Sequence, residues 1–225
     1  MKRQMTWGAA PVATKKTRPV AKNDSEEEDD DMPNLPLILQ AAAAGAMLYH
    51  QSNHVYFNND ITDSSAFALC KELRVVQNKL NMIHSQIDFG TDMPIFLHLT
   101  TNGGSIHAAF TVIDCIRSLK APVYTVIDGF VASAGTLISL AGEKRFIQPN
   151  AYTLVHQLSS GVWGKMAEID DTYSNLKKLM EHITSYYLQK TKLSAKTLKV
   201  VLSKDVQWNA EETIAKGLAD GIYNA

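Results

Sequence analysis

The chain has 225 residues, 45% hydrophobic and 20% charged, which fits a globular domain with one sizeable core rather than a fibrous or disordered polymer. Its 22 basic and 23 acidic residues leave a net charge of −1, so no global field recruits nucleic acid or anionic lipid. The two cysteines, Cys70 and Cys115, lack CxxC spacing and sit in helical patterns, reading as buried free thiols in a reducing, cytosolic compartment.

Residues 1–34 place basic residues first (Lys15, Lys16, Arg18, Lys22) and then an acidic run, DSEEEDDD, at 24–31. With so little to bury, this stretch is expected to be a disordered, solvated leader, and the folded domain to run over 35–225. The apolar run at 35–48 (LPLILQAAAAGAML) is interrupted by Pro36, Gln40 and Gly45 and is too short to span a bilayer. It follows acidic rather than basic residues, unlike a secretory signal, so neither export nor a membrane partner is expected.

From there strand and helix alternate. His54 to Phe57 reads as a strand, and Asp63 or Ser64 as the cap of a helix whose apolar positions Leu69, Leu73, Val76, Leu80, Ile83 and Ile87 recur at helical spacing. A strand at 95–99 (IFLHL) leads into the glycine turn Asn102-Gly103-Gly104-Ser105 and a helix carrying Phe110, Ile113 and Ile116. A second strand at 123–127 (VYTVI) leads through GFVASAG at 129–135 into a helix of small residues reaching about 141. Two successive strand, glycine turn, helix units predict an α/β fold with parallel pairing. A strand over 153–156 follows, then a long helix over 165–190, a shorter helix starting at Ser194 and an extended segment at 205–208. A capping box of Asn209 and Glu212 then opens a last helix that Gly217 stops.

Hydrolysis of a peptide bond needs an activated hydroxyl, a base and amide donors for the oxyanion. Ser133 sits in GFVASAG, whose small residues permit a tight strand-to-helix turn, although an ordinary N-cap serine would look the same. The paired Gly103 and Gly104 allow backbone amides to approach a substrate closely, and equally serve a plain tight turn. His156 falls at the end of an apolar strand, where sites gather in parallel sheets; a hydrogen-bonded core histidine is the other reading, with His107 as a reserve base. No histidine has zinc-type spacing, so no metal is expected, and no Walker-type glycine loop is present for ATP.

Four segments in order, TNGGSI at 101–106, GFVASAG at 129–135, LVHQ at 154–157 and KDVQWNAEE at 204–212, resemble the proteolytic subunit of the ATP-dependent Clp protease over roughly residues 53–224. The resemblance implies a repeated β-β-α spiral fold shared with the crotonases, with parallel sheet layers and a long protruding helix. It implies Ser133 as nucleophile, His156 as base and Asp205 as the group orienting that base. Gly104 and Ala134 would donate to the oxyanion, while Ser105, Ile106, Leu158 and Ser159 would pair with an extended peptide. Self-association into a ring, stacked as heptamers around a chamber, would restrict substrates to unfolded proteins or peptides. ATP would act only through a Clp-type ATPase partner, and no cofactor is expected. Where the family carries prolines beside the glycine turn and after the histidine, this chain has Asn102 and Leu158. A phage-type maturation protease of the same fold shares the triad. A non-catalytic ring subunit would be expected to lose a triad residue. A crotonase-like acyl-CoA enzyme would need an acid or base in place of the triad, and a Ser-Lys dyad would need a lysine base, for which Lys144 is too close in sequence to be an obvious partner.

Overall fold

The computed structural model describes residues 47–87 and 93–224. The charged leader, the domain start expected at residue 35 and the exit of the first helix at 89–92 lie outside the described residues.

Eight strands form one mostly parallel sheet, ordered β1, β2, β3, β4, β5, β8, with β6 joined to β4 and β7 joined to β6. Strand β1 (Leu48–Gln51) pairs antiparallel with β2 (His54–Asn58), and β2 runs parallel to β3 (Ile95–Thr101). In β3 the alternation is direct: Ile95, Leu97 and Leu99 are fully buried, while Phe96 and Thr100 on the opposite face are half-buried. The buried set joins one core with helix α1 (Asp63–Gln86), through Leu69, Leu73, Val76 and Leu80, and with helix α2 (Ile106–Ser118), through Val112, Ile113 and Ile116. The apolar stripe of α1 holds as far as Leu80, whereas Ile83 and Ile87 are exposed. Its cap is Thr62 rather than Asp63 or Ser64: Thr62 and Ser65 bond each other's backbone N–H as a capping box. Cys70 and Cys115 are buried and free on these two helices.

The other face of the sheet carries stacked rings, with Tyr56 against His98 and His54 against Phe96. His98 Nδ1 lies 2.8 Å from an Asp128 carboxylate oxygen and its Nε2 lies 3.0 Å from His54 Nδ1. A carboxylate only accepts, so His98 donates through Nδ1, which leaves Nε2 for the contact with His54.

Strand β4 (Val123–Ala132) is twice the length read from the sequence. Its first half lies between β3 and β5 (Lys144–Ile147), a strand the sequence pattern did not disclose. Between the Leu99–Ile127 and Thr101–Val131 pairs the register slips, with Gly129 at φ +64° in the extra residues, so the strand bends and continues instead of ending. Its second half pairs with β6 (Tyr152–Leu154) and runs directly into helix α3 (Ala134–Ser139).

Helix α4 (Met166–Lys190) is 25 residues, about 37 Å at 1.5 Å per residue. Only Ile183, Tyr186 and Tyr187, near its C-terminal end, are buried. Arg145 holds that end to the sheet by donating to the carbonyls of Lys190 (2.7 Å) and Gly217 (3.0 Å) and pairing with Asp220. Helix α5 (Ala195–Leu202), capped by Ser194, leads to β7 (Gln207–Trp208), which pairs antiparallel with β6. Helix α6 (Ala210–Ala215) opens on the expected Asn209 and Glu212 box, and β8 (Gly221–Ile222) closes the sheet against β5. Among the described residues no helix is long and apolar enough to cross a membrane.

Candidate active site

Two strand registers bring the chemistry together. Beyond the Ala132–Leu154 pair of β4 and β6, Ser133 N–H donates to Leu154 O at 2.9 Å, which sets Ser133 beside the chain leading to His156. Strand β7 pairs Trp208 with Thr153 and Gln207 with Leu154; continued by two residues, the same antiparallel register brings Asp205 opposite His156. The His156 Nδ1 to Asp205 Oδ1 separation is 3.9 Å, an ion-pair distance about 1 Å longer than a hydrogen bond. The Asp205 side chain is 80% exposed and that of His156 25%.

Ser133 occupies the N-cap position of α3 at φ +55°, ψ −126°, a region that side-chain-bearing residues rarely adopt. Unlike Thr62, Ser105, Ser194 and Asn209, which all cap their helices, Ser133 makes no capping hydrogen bond with its side chain. The N-cap reading of this serine therefore fails. Its strained turn lifts a half-buried hydroxyl into a cavity lined by Gly104, Ile106, His156, Leu158 and Ser159 as well as Ser133 itself. Six of the nine site residues that the resemblance implied thus share one cavity or its rim.

The glycine turn closes the opposite wall. Ile61 N–H donates to Gly103 O (2.8 Å) and Ile61 O accepts from Ser105 N–H (2.7 Å). In such a parallel bridge the intervening Gly104 turns its own N–H away from Ile61. A Cβ on Gly104 would lie 2.2 Å from Ile61 O, and one on Gly103 would lie 2.6 Å from Ser133 Cβ, so both approaches need glycine. Ala134, fully buried as the first residue of α3, contributes one of the amides that a helix start leaves without an intrahelical partner.

Ser105 is engaged within the turn and the helix it opens. Its N–H is paired with Ile61, its carbonyl accepts from Ala109 N–H at 3.0 Å and its hydroxyl caps α2, so no free N–H remains there for a peptide strand. Leu158 is half-buried and Ser159 exposed, on a segment between β6 and α4. Leu137, Gln157, Ile183 and Tyr187 also line the cavity and were not singled out from the sequence. Leu137 was traceable as the residue one helical turn beyond Ser133, and Ile183 with Tyr187 as an i, i+4 pair. The base alternatives separate as well: His107 is not on the cavity, and Lys144 lies on β5 with its ammonium over the Tyr124 ring. Among the described residues no group of three or more His, Cys, Asp or Glu side chains could hold a metal ion.

The sequence profile of the family described as Clp protease matches residues 43–225. The chain is 37% identical over 131 residues to the ATP-dependent Clp protease proteolytic subunit 2 of Treponema denticola, spanning 57% of this chain and 66% of that relative's length. It is 30% identical over 175 residues to the ATP-dependent Clp protease proteolytic subunit 1 of Chlamydia abortus, spanning 76% of this chain and 86% of that relative. A solved structure of a ClpP1 point mutant from Listeria monocytogenes superposes with a TM-score of 0.63 at 25% identity, covering 74% of this chain and 88% of that one. The chain therefore belongs to the Clp protease family, whose members are serine-type peptidases.

Proposed function

We propose that this chain is a serine endopeptidase subunit in which Ser133, His156 and Asp205 form the triad. The observation that carries the reading is the strained Ser133 turn, which leaves its hydroxyl uncapped on the same cavity as His156. With Nδ1 turned to Asp205, Nε2 is the imidazole nitrogen left to serve Ser133. Ser133 Oγ attacks the scissile carbonyl carbon while His156 takes its proton; the resulting oxyanion accepts from Gly104 N–H and Ala134 N–H. Collapse expels the amine, protonated by His156, and leaves an acyl-Ser133 ester. Water, deprotonated by the same imidazole, hydrolyses that ester and restores the hydroxyl. Asp205, 3.9 Å from Nδ1, stabilises the imidazolium formed in each half-reaction.

Ile106 and the Leu158-Ser159 edge receive the extended peptide, with Ile106, Leu137 and Ile183 offering an apolar wall to its side chain. Unfolded proteins and short peptides are the substrates, no cofactor takes part, and the chain works in the cytoplasm with a Clp-type ATPase as its unfolding partner. Self-association into stacked heptameric rings is supported by apolar side chains that the protomer leaves uncovered: Trp163 is 99% exposed, Met166 72% and Tyr173 68%, all at or near the free end of α4.

The test is degradation of an unfolded protein by the assembled chain, wild type beside Ser133→Ala and His156→Ala. Loss of a single triad member leaves only a residual rate, so both variants are expected to fall by about 10⁴ or more. Retention of wild-type hydrolysis in either variant rejects the assignment. Native mass measurement tests the ring separately, a stable monomer counting against it.

A further inference from the structure

We propose that Tyr187 and Thr136 are positioning residues for the oxyanion donor, acting through a chain of hydroxyl hydrogen bonds that ends on the Ser133 carbonyl. Thr136 Oγ1 lies 2.7 Å from Ser133 O and 2.6 Å from Tyr187 Oη. The direction of each bond follows from valence. A carbonyl can only accept, so the single hydroxyl hydrogen of Thr136 goes to Ser133 O, and Tyr187 must donate to Thr136. Tyr187 is 2% exposed and Thr136 1%, so water does not compete for either bond. Burial also pushes the Tyr187 phenol well above its ordinary range, keeping it a neutral donor throughout the working pH.

The chain of bonds matters because of what shares a peptide unit with its last atom. The peptide between Ser133 and Ala134 is planar and trans, so Ser133 C=O and Ala134 N–H point in opposite directions. Thr136 anchors the carbonyl, with its own N–H adding a second bond at 3.0 Å, and thereby fixes where the Ala134 N–H is aimed. At φ +55° the backbone would relax if released, so this anchor opposes a real tendency. Gly103 borders the same peptide from the other side so closely that a Cβ added there would lie only 3.3 Å from Ala134 N. Tyr187 belongs to the buried end of α4, so the same contact ties the long helix to the oxyanion donor. Tyr187 lies one turn beyond Ile183 on α4, and its hydroxyl is the part that apolar packing does not explain.

This inference rests on Ser133 being the nucleophile, and its test separates the two claims. The rate of covalent reaction with a fluorophosphonate is measured for the full chain and resolved into a limiting rate and a half-saturating concentration. In that reaction Ser133 Oγ bonds to phosphorus and fluoride leaves, with the phosphoryl oxygen in the place of the oxyanion. Tyr187→Phe, which removes only the hydroxyl, is expected to lower the limiting rate about tenfold, the factor of one ordinary hydrogen bond, with the half-saturating concentration within about twofold. Thr136→Val is expected to lose as much or more, Thr136→Ser to regain the rate within about twofold, and the Tyr187→Phe, Thr136→Val double variant to react no slower than Thr136→Val alone. The pH profile of the rate keeps its midpoint, since His156 is not touched. A wild-type limiting rate in Tyr187→Phe, a change confined to the half-saturating concentration, or additive losses in the double variant would overturn the positioning role while leaving the nucleophile standing. Equal labelling of wild type and Ser133→Ala would overturn both.

Discussion

Replacing Gly103 by alanine tests the geometry of the nucleophile without touching any group that reacts. At φ +101° the residue occupies backbone space that a side chain strains, at about 1–3 kcal/mol. The added Cβ would stand 2.6 Å from Ser133 Cβ and 2.9 Å from Ala132 O, against the 3.5–4.0 Å at which carbon atoms rest, so something must retreat by about 1 Å. The Gly103 side is held by its carbonyl bond to Ile61 and the Ser133 side by its N–H bond to Leu154, so the displacement is shared between the oxyanion turn and the nucleophile. A misplacement of about 1 Å at a reacting centre lowers rate by about 10², and that is the loss expected for Gly103→Ala in peptide hydrolysis. Stability should fall by about 2–4 kcal/mol by chemical denaturation, from the strain together with part of one hydrogen bond. A variant within about threefold of wild-type turnover would show that the added methyl group does not displace Ser133 as described.

Arg145→Met should lower stability by about 2–3 kcal/mol in urea, because it removes charge-assisted bonds to the end of α4, to Gly217 O and to Asp220; a loss below about 0.5 kcal/mol would contradict that clamp. His54 is held below its ordinary pKa of 6.5, first by burial and then by the nearby His98, so the folded state favours neutral His54 and its contribution is complete above that value. As pH falls through the lowered pKa, the unfolded chain binds the proton more readily and stability declines. His54→Asn should flatten the pH dependence of the melting temperature below about pH 6.5, and an unchanged slope would refute the sign.

The sequence disclosed most where periodicity and capping act locally. The stripe of α1 to Leu80, the span of α4, and the Ser194 and Asn209 caps all follow from spacing within a single element. What it could not disclose was set by pairing. Lys144–Ile147 is too short to show a period of two, and Gly221–Ile222 is a strand only because a neighbour completes its hydrogen bonds, whereas Gln207–Trp208 falls inside the segment read as extended at 205–208. Gly129 looked like the end of a strand because its left-handed conformation, not its identity, decides between a stop and a bulge.

The candidate site shows the same division. Ser133 and the paired glycines advertise a turn locally, but that the Ser133 hydroxyl is left uncapped is visible only in three dimensions. Asp205 sits 49 positions from His156 in the chain and meets it through the β6–β7 register, information no local pattern holds. Ser105, which the resemblance alone assigned to peptide pairing, has local partners that only the fold reveals: its N–H bonds Ile61 and its hydroxyl caps α2.

That Ser133 is the nucleophile is the central claim, and the most direct measurement is the site of covalent modification. The assembled protein is treated with a fluorophosphonate, digested and mapped by tandem mass spectrometry. The adduct should fall on Ser133 alone, disappear in Ser133→Ala, slow by about 10³ or more without the imidazole in His156→Ala, and slow less in Asp205→Asn, where only the orientation of that imidazole is lost. An adduct on any other residue, or Ser133 labelling that proceeds at the wild-type rate in His156→Ala, would contradict the account.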